Sequence, residues 1–126
     1  MSDYCRHKVV RMKVNLESLG VSSLWDIEDE YEDLFGNGDV GKFDIAPTEE
    51  DFIDYVLYRS YGEECGEWGK VRKLTEKESE KYVEIFQQIY PNVKPEDLRY
   101  VDFCWYNCSE APDYFDEASD DFYDEI

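Results

Sequence analysis

The strongest constraint on how this chain can fold is its charge. It carries 32 acidic residues against 13 basic ones, a formal net charge of −19 over 126 residues. Self-repulsion of this size opposes compaction, so a folded chain has to bury enough apolar surface to offset it. Aromatic residues supply that surface, since they form 17% of the sequence, and a purely disordered acidic chain would be poor in them. We therefore expect one folded domain.

The acidic residues are segregated along the chain. Residues 26–67 hold fifteen acids and two bases, and residues 110–126 hold eight acids and no base. Together these segments carry more negative charge than the whole chain, so the remainder is slightly basic. A directional field of this sign attracts basic protein surfaces and repels nucleic acids and anionic membranes. The expected partner is a basic nucleic-acid-binding protein, and direct binding to nucleic acid or to a membrane is excluded.

Apolar periodicity predicts an α+β fold. Alternation at 9–16 and 99–106 predicts two strands, which we expect to pair. Helical spacing predicts three helices, over 22–36, 47–62 and 75–91, and the third has a capping box formed by Thr75 and Glu78. The predicted architecture is a small antiparallel sheet with about three helices packed on it and an acidic C-terminal segment. The compact domain would span 1–109 and the acidic aromatic segment 110–126.

The expected compartment is the cytoplasm of a bacterial host cell. The sequence contains no apolar run of eighteen residues and no hydrophobic stretch near its N-terminus, so it predicts neither a transmembrane helix nor a secretory signal. Thiols stay reduced in the cytosol. We accordingly expect the four cysteines of the chain to be reduced rather than joined in two disulfides.

Two constellations of cysteine and histidine could carry chemistry. Cys5 and His7 near one end, with Cys104 and Cys108 near the other, could approach each other and bind zinc if the first and last strands pair. The alternative is that these thiols are buried as small apolar groups. A Cys–His nucleophilic pair needs a third, orienting group, and the sequence places none. We expect no catalytic residue, metal or cofactor, and a protein that is not an enzyme.

The acidic surface is the stronger candidate for a functional site. The tail would span roughly 55 Å if extended at about 3.3 Å per residue, with one charge per ~7 Å, a density comparable to that of a nucleic acid backbone. Its aromatic residues could dock the row of acids onto the domain or into the partner. A frayed, solvated tail is the alternative. The predicted partner-binding residues are Asp26, Asp29, Glu30, Asp33, Asp113, Asp116, Glu117, Asp120, Asp121, Asp124, Glu125, Tyr114, Phe122 and Tyr123.

The charge pattern and size resemble a known class of inhibitors. The segments "WDIEDEYEDLF", "TEEDFIDY" and "DYFDEASDDFYDEI" are similar in kind to the acidic surfaces of the DNA-mimic proteins of phages and mobile elements, of the anti-CRISPR and anti-restriction type. The resemblance implies a non-enzymatic inhibitor that occupies the DNA-binding groove of a bacterial defence nuclease. An immunity protein or antitoxin that neutralises a basic nuclease toxin would use the same physics, so composition leaves both open.

Overall fold

The fold is a five-stranded antiparallel sheet with helices on one face. The computed structural model describes residues 4–36, 40–46, 51–62, 68–106, 111–113 and 115. Among these, no helix has the length and hydropathy needed to cross a membrane. The elements in chain order are β1 (Cys5–Lys13), α1 (Leu16–Leu19), α2 (Leu24–Glu30), a 3₁₀ turn (Glu32–Leu34), β2 (Phe43–Ile45), β3 (Phe52–Tyr61), β4 (Trp68–Lys73), α3 (Glu76–Phe86), a second 3₁₀ turn (Pro95–Asp97) and β5 (Leu98–Trp105).

The sheet is built around β1. The strand order is β2-β3-β1-β5-β4, and every pairing is antiparallel. The predicted pairing of the first and last strands is confirmed, with Cys5 opposite Trp105 and Met12 opposite Leu98. A bulge between Lys8 and Val9 interrupts the pairing of β1 with β3. The central strand therefore has a long neighbour on each side, and both of its faces can be buried.

The expectation of about three packed helices is wrong. Residues 52–61, inside the second predicted helix, form the ten-residue strand β3. Phe52, Ile53 and Val56 in its first half are buried on the two faces of the sheet, and such a run of apolar residues is shared by helices and by strands buried on both faces. The helices instead form two regions. The first comprises α1, α2 and the 3₁₀ turn after α2, and the second is α3, where the Thr75–Glu78 capping box is present as predicted. The α+β class itself fits the structure.

Each face of the sheet carries its own core. On the helical face, Val10, Met12 and Leu98 pack with Leu24 and Ile27 of α2 and with aromatic residues of α3. On the second face, Val9, Val101 and Phe103 pack with Ala111 and Phe115, which follow β5 in the chain. The Phe115 ring stacks on Phe52 with centroids 5.8 Å apart. The predicted boundary near residue 109 stays a prediction, since most of the residues beyond it lie outside the described ones.

An ion pair is buried on the second face. Arg11 alternates with the apolar residues of β1, as a residue on the solvent side of a half-buried strand would, but its exposed fraction is 0%. Its guanidinium donates to both carboxylate oxygens of Asp54, opposite it on β3, at 2.7 and 2.9 Å. It also donates to the carbonyl oxygen of Pro112 at 3.0 Å. Arg11 thereby connects two strands to the segment that follows β5.

The expectation of reduced cysteines is wrong for the two cysteines that the structure describes. Cys5 and Cys104 are both disulfide-bonded and both fully buried. Cys5 is paired in register with Trp105, the next residue after Cys104, so the two cysteines lie on opposite faces of the sheet. They are therefore not bonded to each other. Cys65 and Cys108 lie outside the described residues.

Candidate partner-binding surface

The acidic surface is built on α2 and the 3₁₀ turn that follows it. The Ser23 side chain caps the helix by accepting a hydrogen bond from the backbone N–H of Trp25. Leu24 and Ile27 are buried in the core of the helical face. Because these two residues fix which side of α2 faces inward, the polar residues between them face solvent. We call the five exposed acids of this region the acidic face: Asp26, Asp29, Glu30, Glu32 and Asp33.

The acidic face is not neutralised by the rest of the described protein. No ion pair among the described residues involves any of its five carboxylates, and the sequence contains no basic residue between Lys13 and Lys42. Asp26 accepts one hydrogen bond, from the Ser22 hydroxyl at 3.1 Å. The predicted residues Asp26, Asp29, Glu30 and Asp33 are therefore all exposed on this part of the surface, and their role in binding a partner stays a prediction.

The arrangement of these acids works against the helix that carries them. The last turn of α2 contains no basic residue, so Asp29 and Glu30 lie near the negative end of the helix dipole, where an anion costs about 0.3–1 kcal/mol. Asp26 and Glu30 are also a like-charge pair at i,i+4, which is unfavourable by a few tenths of a kcal/mol. Packing of Leu24 and Ile27 has to offset both costs. A surface needed only for solubility would mix the two signs of charge, as α3 does.

A small groove lies beside the acidic face. Its volume is about 220 Å³, and Glu30 and Tyr31 line it together with apolar side chains of α1 and the residues after α3. The apolar walls include Leu19, Val21 and Ile89. Lysine and arginine side chains combine an aliphatic stem with a charged head. The groove therefore suits such a side chain, with its stem between apolar walls and its head at the Glu30 carboxylate.

A larger acidic groove adjoins the other side of α1. It has a volume of about 680 Å³, with Phe115 and Lys13 on its walls and four acids around it: Glu17, Asp51, Glu96 and Asp97. Sequence reasoning missed all four, because they come from three distant parts of the chain and form no local pattern. Helix α1 contributes residues to both grooves. The two grooves and the acidic face consequently form neighbouring parts of one negatively charged region.

Within the part of the chain that the structure describes, the arginines do not pair with the acids of α2. Four arginines form ion pairs within the sheet or at the start of α3, and Arg99 donates to the main-chain carbonyls of Glu96 and Leu98. The pairs are Arg6–Asp102 at 3.0 Å and Arg11–Asp54, Arg59–Asp44 and Arg72–Glu78 at 2.7 Å. Because these arginines bond to other groups of the protein, the acids of α2 stay exposed to solvent.

The structure describes only one of the predicted C-terminal residues. Asp113 is described and is exposed, between the buried residues Ala111 and Phe115. The anchored Phe115 was expected as a docking aromatic residue of this segment, either onto the domain or into the partner. The remaining predicted residues lie outside the described ones: Tyr114, Asp116, Glu117, Asp120, Asp121, Phe122, Tyr123, Asp124 and Glu125.

The alternative zinc site at Cys5, His7, Cys104 and Cys108 does not fit the described geometry. Cys5 and Cys104 are disulfide-bonded and lie on opposite faces of the sheet, so their sulfurs are not available as thiolate ligands of one ion. The described residues contain no cluster of three or more metal-ligating side chains. Cys108 lies outside them. His7 lies on the second face beside the rings of Phe103 and Trp105.

Comparison of the chain with protein-family models, with curated proteins and with solved structures finds no match.

Proposed function

We propose that this chain is a non-enzymatic inhibitor that mimics nucleic acid and occupies the DNA-binding groove of a basic bacterial protein. The proposed targets are defence nucleases of the CRISPR or restriction type. The observation that supports the proposal is the acidic face, whose five exposed carboxylates have no described basic partner. Such carboxylates replace phosphates in a groove lined with lysine and arginine, and release of counterions drives the association as it does for DNA.

The proposal is tested by competition between this protein and DNA for a panel of CRISPR effector complexes and restriction enzymes. DNA binding is measured by gel shift at several salt concentrations. We expect competition that weakens steeply with salt, since each contact between a carboxylate and a basic side chain behaves like a phosphate contact. Loss of salt dependence, or competition with none of the targets, would contradict the proposal.

A matched pair of variants separates the acidic face from charge in general. Asp29→Lys with Asp33→Lys reverses two exposed acids of the acidic face, and Glu80→Lys with Glu84→Lys reverses two exposed acids of α3. Both pairs have i,i+4 spacing and change the net charge equally. The first pair should lower the slope of log affinity against log salt by about two, one for each lost contact. Equal effects of the two pairs would show that only net charge matters.

A second set of charge-reversal variants tests whether the predicted tail contacts the target. Charge reversal of Asp120, Asp121, Asp124 and Glu125 should weaken inhibition much more than reversal of Glu76 and Glu80, which lie on the mixed-charge face of α3. If the two sets have equal effects, the tail does not contact the target and binding is assigned to the acidic face.

The disulfides favour a second candidate function. Disulfides persist in oxidising compartments and are rare in the cytosol, whereas Cys5 and Cys104 are both disulfide-bonded. The second candidate is an immunity protein or antitoxin that neutralises a basic nuclease toxin outside the reducing cytosol. The leading candidate acts in the host cytoplasm, so it requires the reduced protein to inhibit as well. Inhibition assays with the oxidised and the reduced protein distinguish the two: activity that disappears on reduction supports the second.

A further inference from the structure

Four buried side-chain nitrogens on the second face of the sheet have no hydrogen-bond partner among the residues that the structure describes. One is Nε of Arg99, at the other end of β5 from Trp105; the other three are Nε2 of His7, Nε of Arg59 and Nε1 of Trp105. The exposed fractions are 7% for His7 and 3% for Trp105, and 9% for the Arg59 side chain. Leaving a buried polar group unsatisfied costs about 1–3 kcal/mol, so three such groups in one place call for an explanation.

The register of the sheet brings these three side chains together. His7 on β1 lies directly opposite Arg59 on β3 and opposite Phe103 on β5. Trp105 is two residues beyond Phe103 and so lies on the same face. The rings of His7 and Trp105 have centroids 4.9 Å apart, and the rings of Phe103 and Tyr61 are 5.6 and 6.2 Å from His7. The three side chains therefore lie on three adjacent strands of one face, with several aromatic rings around His7.

The chemistry of the three groups defines what they can bind. The Arg59 Nε–H and the Trp105 Nε1–H can only donate, and the imidazole Nε2 can donate in one tautomer. The missing partner is therefore an acceptor. The described carboxylates on this face are already used, because Asp44 accepts from another nitrogen of Arg59 at 2.7 Å and Asp54 accepts from Arg11 through both oxygens.

The charge at this site favours an anion. Burial, followed by the guanidinium groups of Arg59 and Arg11, lowers the pKa of His7 to about 3. The imidazole is therefore neutral near pH 7. The arginines contribute a positive potential at the ring although each is paired with an aspartate, Arg59 with Asp44 and Arg11 with Asp54.

We propose that Arg59, Trp105 and His7 form a buried binding site for a small monovalent anion such as chloride. The anion accepts from the Nε–H of Arg59, the Nε1–H of Trp105 and the Nε2–H of His7, and the buried ring of Phe103 lies beside it. A spherical halide has no directional preference and can accept from three donors. The site is independent of the acidic face and of the function proposed for it.

The direct test is a chloride titration followed by the indole N–H signals in a ¹H–¹⁵N NMR spectrum. Sodium chloride replaces sodium gluconate at constant ionic strength, with the disulfides intact. We expect the Trp105 signal, assigned with Trp105→Phe, to shift and saturate, while the signal of the exposed Trp25 stays in place. Bromide should compete, and a bromide-soaked crystal should show an anomalous peak between the three nitrogens.

Thermal unfolding supplies a second readout that does not depend on the signal assignment. Because the ion binds the folded state, chloride above its dissociation constant should raise the unfolding midpoint, and each further tenfold increase should raise the folding equilibrium constant about tenfold. The shift should be lost in Trp105→Phe, reduced in Arg59→Lys and kept in the control Trp25→Phe. A Trp105 signal that does not respond, or equal midpoints in chloride and gluconate, would overturn the proposal and assign the site to a water molecule.

Discussion

The buried Arg11–Asp54 pair makes the sharpest prediction about stability. In Arg11→Met, the methionine occupies similar apolar space between the rings of Phe52 and Phe103, which lie 4.8 and 5.0 Å from the guanidinium carbon. Asp54, however, is 4% exposed and loses both of its hydrogen bonds, and the Pro112 carbonyl loses one. Removing one partner of a buried ion pair costs about 3–5 kcal/mol, because the remaining charge is buried and uncompensated. That cost is a large part of the 5–15 kcal/mol typical of a folded domain.

The measurement is urea unfolding of the oxidised protein followed by circular dichroism. Lys77→Met, at an exposed position of α3, is the matched control and should change stability by no more than about 0.5 kcal/mol. The double variant Arg11→Met with Asp54→Leu removes both charges and should recover much of the loss, because a buried pair is often replaceable by apolar residues. If Arg11→Met falls within about 1 kcal/mol of the control, the pair is not buried in solution and the reasoning is wrong.

Three further predictions concern the helix cap, the disulfides and the segment after β5. Hydrogen bonds from Arg72 lower the pKa of Glu78 to about 2 from a usual value of 4.5. The ionised Glu78 carboxylate therefore stabilises the folded protein completely above about pH 4.5, and this stabilisation is lost as the pH falls toward 2. Glu78→Gln should therefore flatten the pH dependence of unfolding in that window, and unchanged curves would contradict the cap. Reducing the disulfides of Cys5 and Cys104 should lower stability by about 2–5 kcal/mol per bond, seen as a lower unfolding midpoint; an equal midpoint with and without reductant would refute it. Phe115→Ala should cost about 3 kcal/mol by urea unfolding, whereas a solvated residue would cost almost nothing.

Local patterns predicted the elements whose neighbours in the sequence decide their structure. The Thr75–Glu78 capping box and the alternation at 99–106 depend on spacings of a few residues, and both appear in α3 and β5. The exposure of the acids of α2 also follows from local spacing, since Leu24 and Ile27 are the buried residues of this helix. These features needed no knowledge of the tertiary structure.

The wrong and missing predictions concern residues whose structure depends on contacts with distant parts of the chain. Phe52, Ile53, Val56 and Leu57 are spaced as on one side of a helix, yet a strand buried on both faces shows the same run of apolar residues. Asp54 lies within that run, and its partner Arg11 is 43 residues away, so no local pattern could indicate that both are buried. The groove acids Glu17, Asp51 and Glu96 were missed for the same reason. The disulfides were missed because the state of the thiols was predicted from an expected reducing compartment, whereas Cys5 and Cys104 are disulfide-bonded.

The order of strands has a consequence for how the protein is made. Among the described strands, the central strand β1 is the first in the chain and its neighbour β5 is the last, and their contact between Arg6 and Asp102 joins residues 96 positions apart. Closing so large a loop makes folding slow. During translation, one edge of β1 stays without its native partner until β5 has left the ribosome, and unpaired edges promote aggregation. Fragments that stop before Leu98 should therefore be insoluble, and the nascent chain stays vulnerable until β5 has been made.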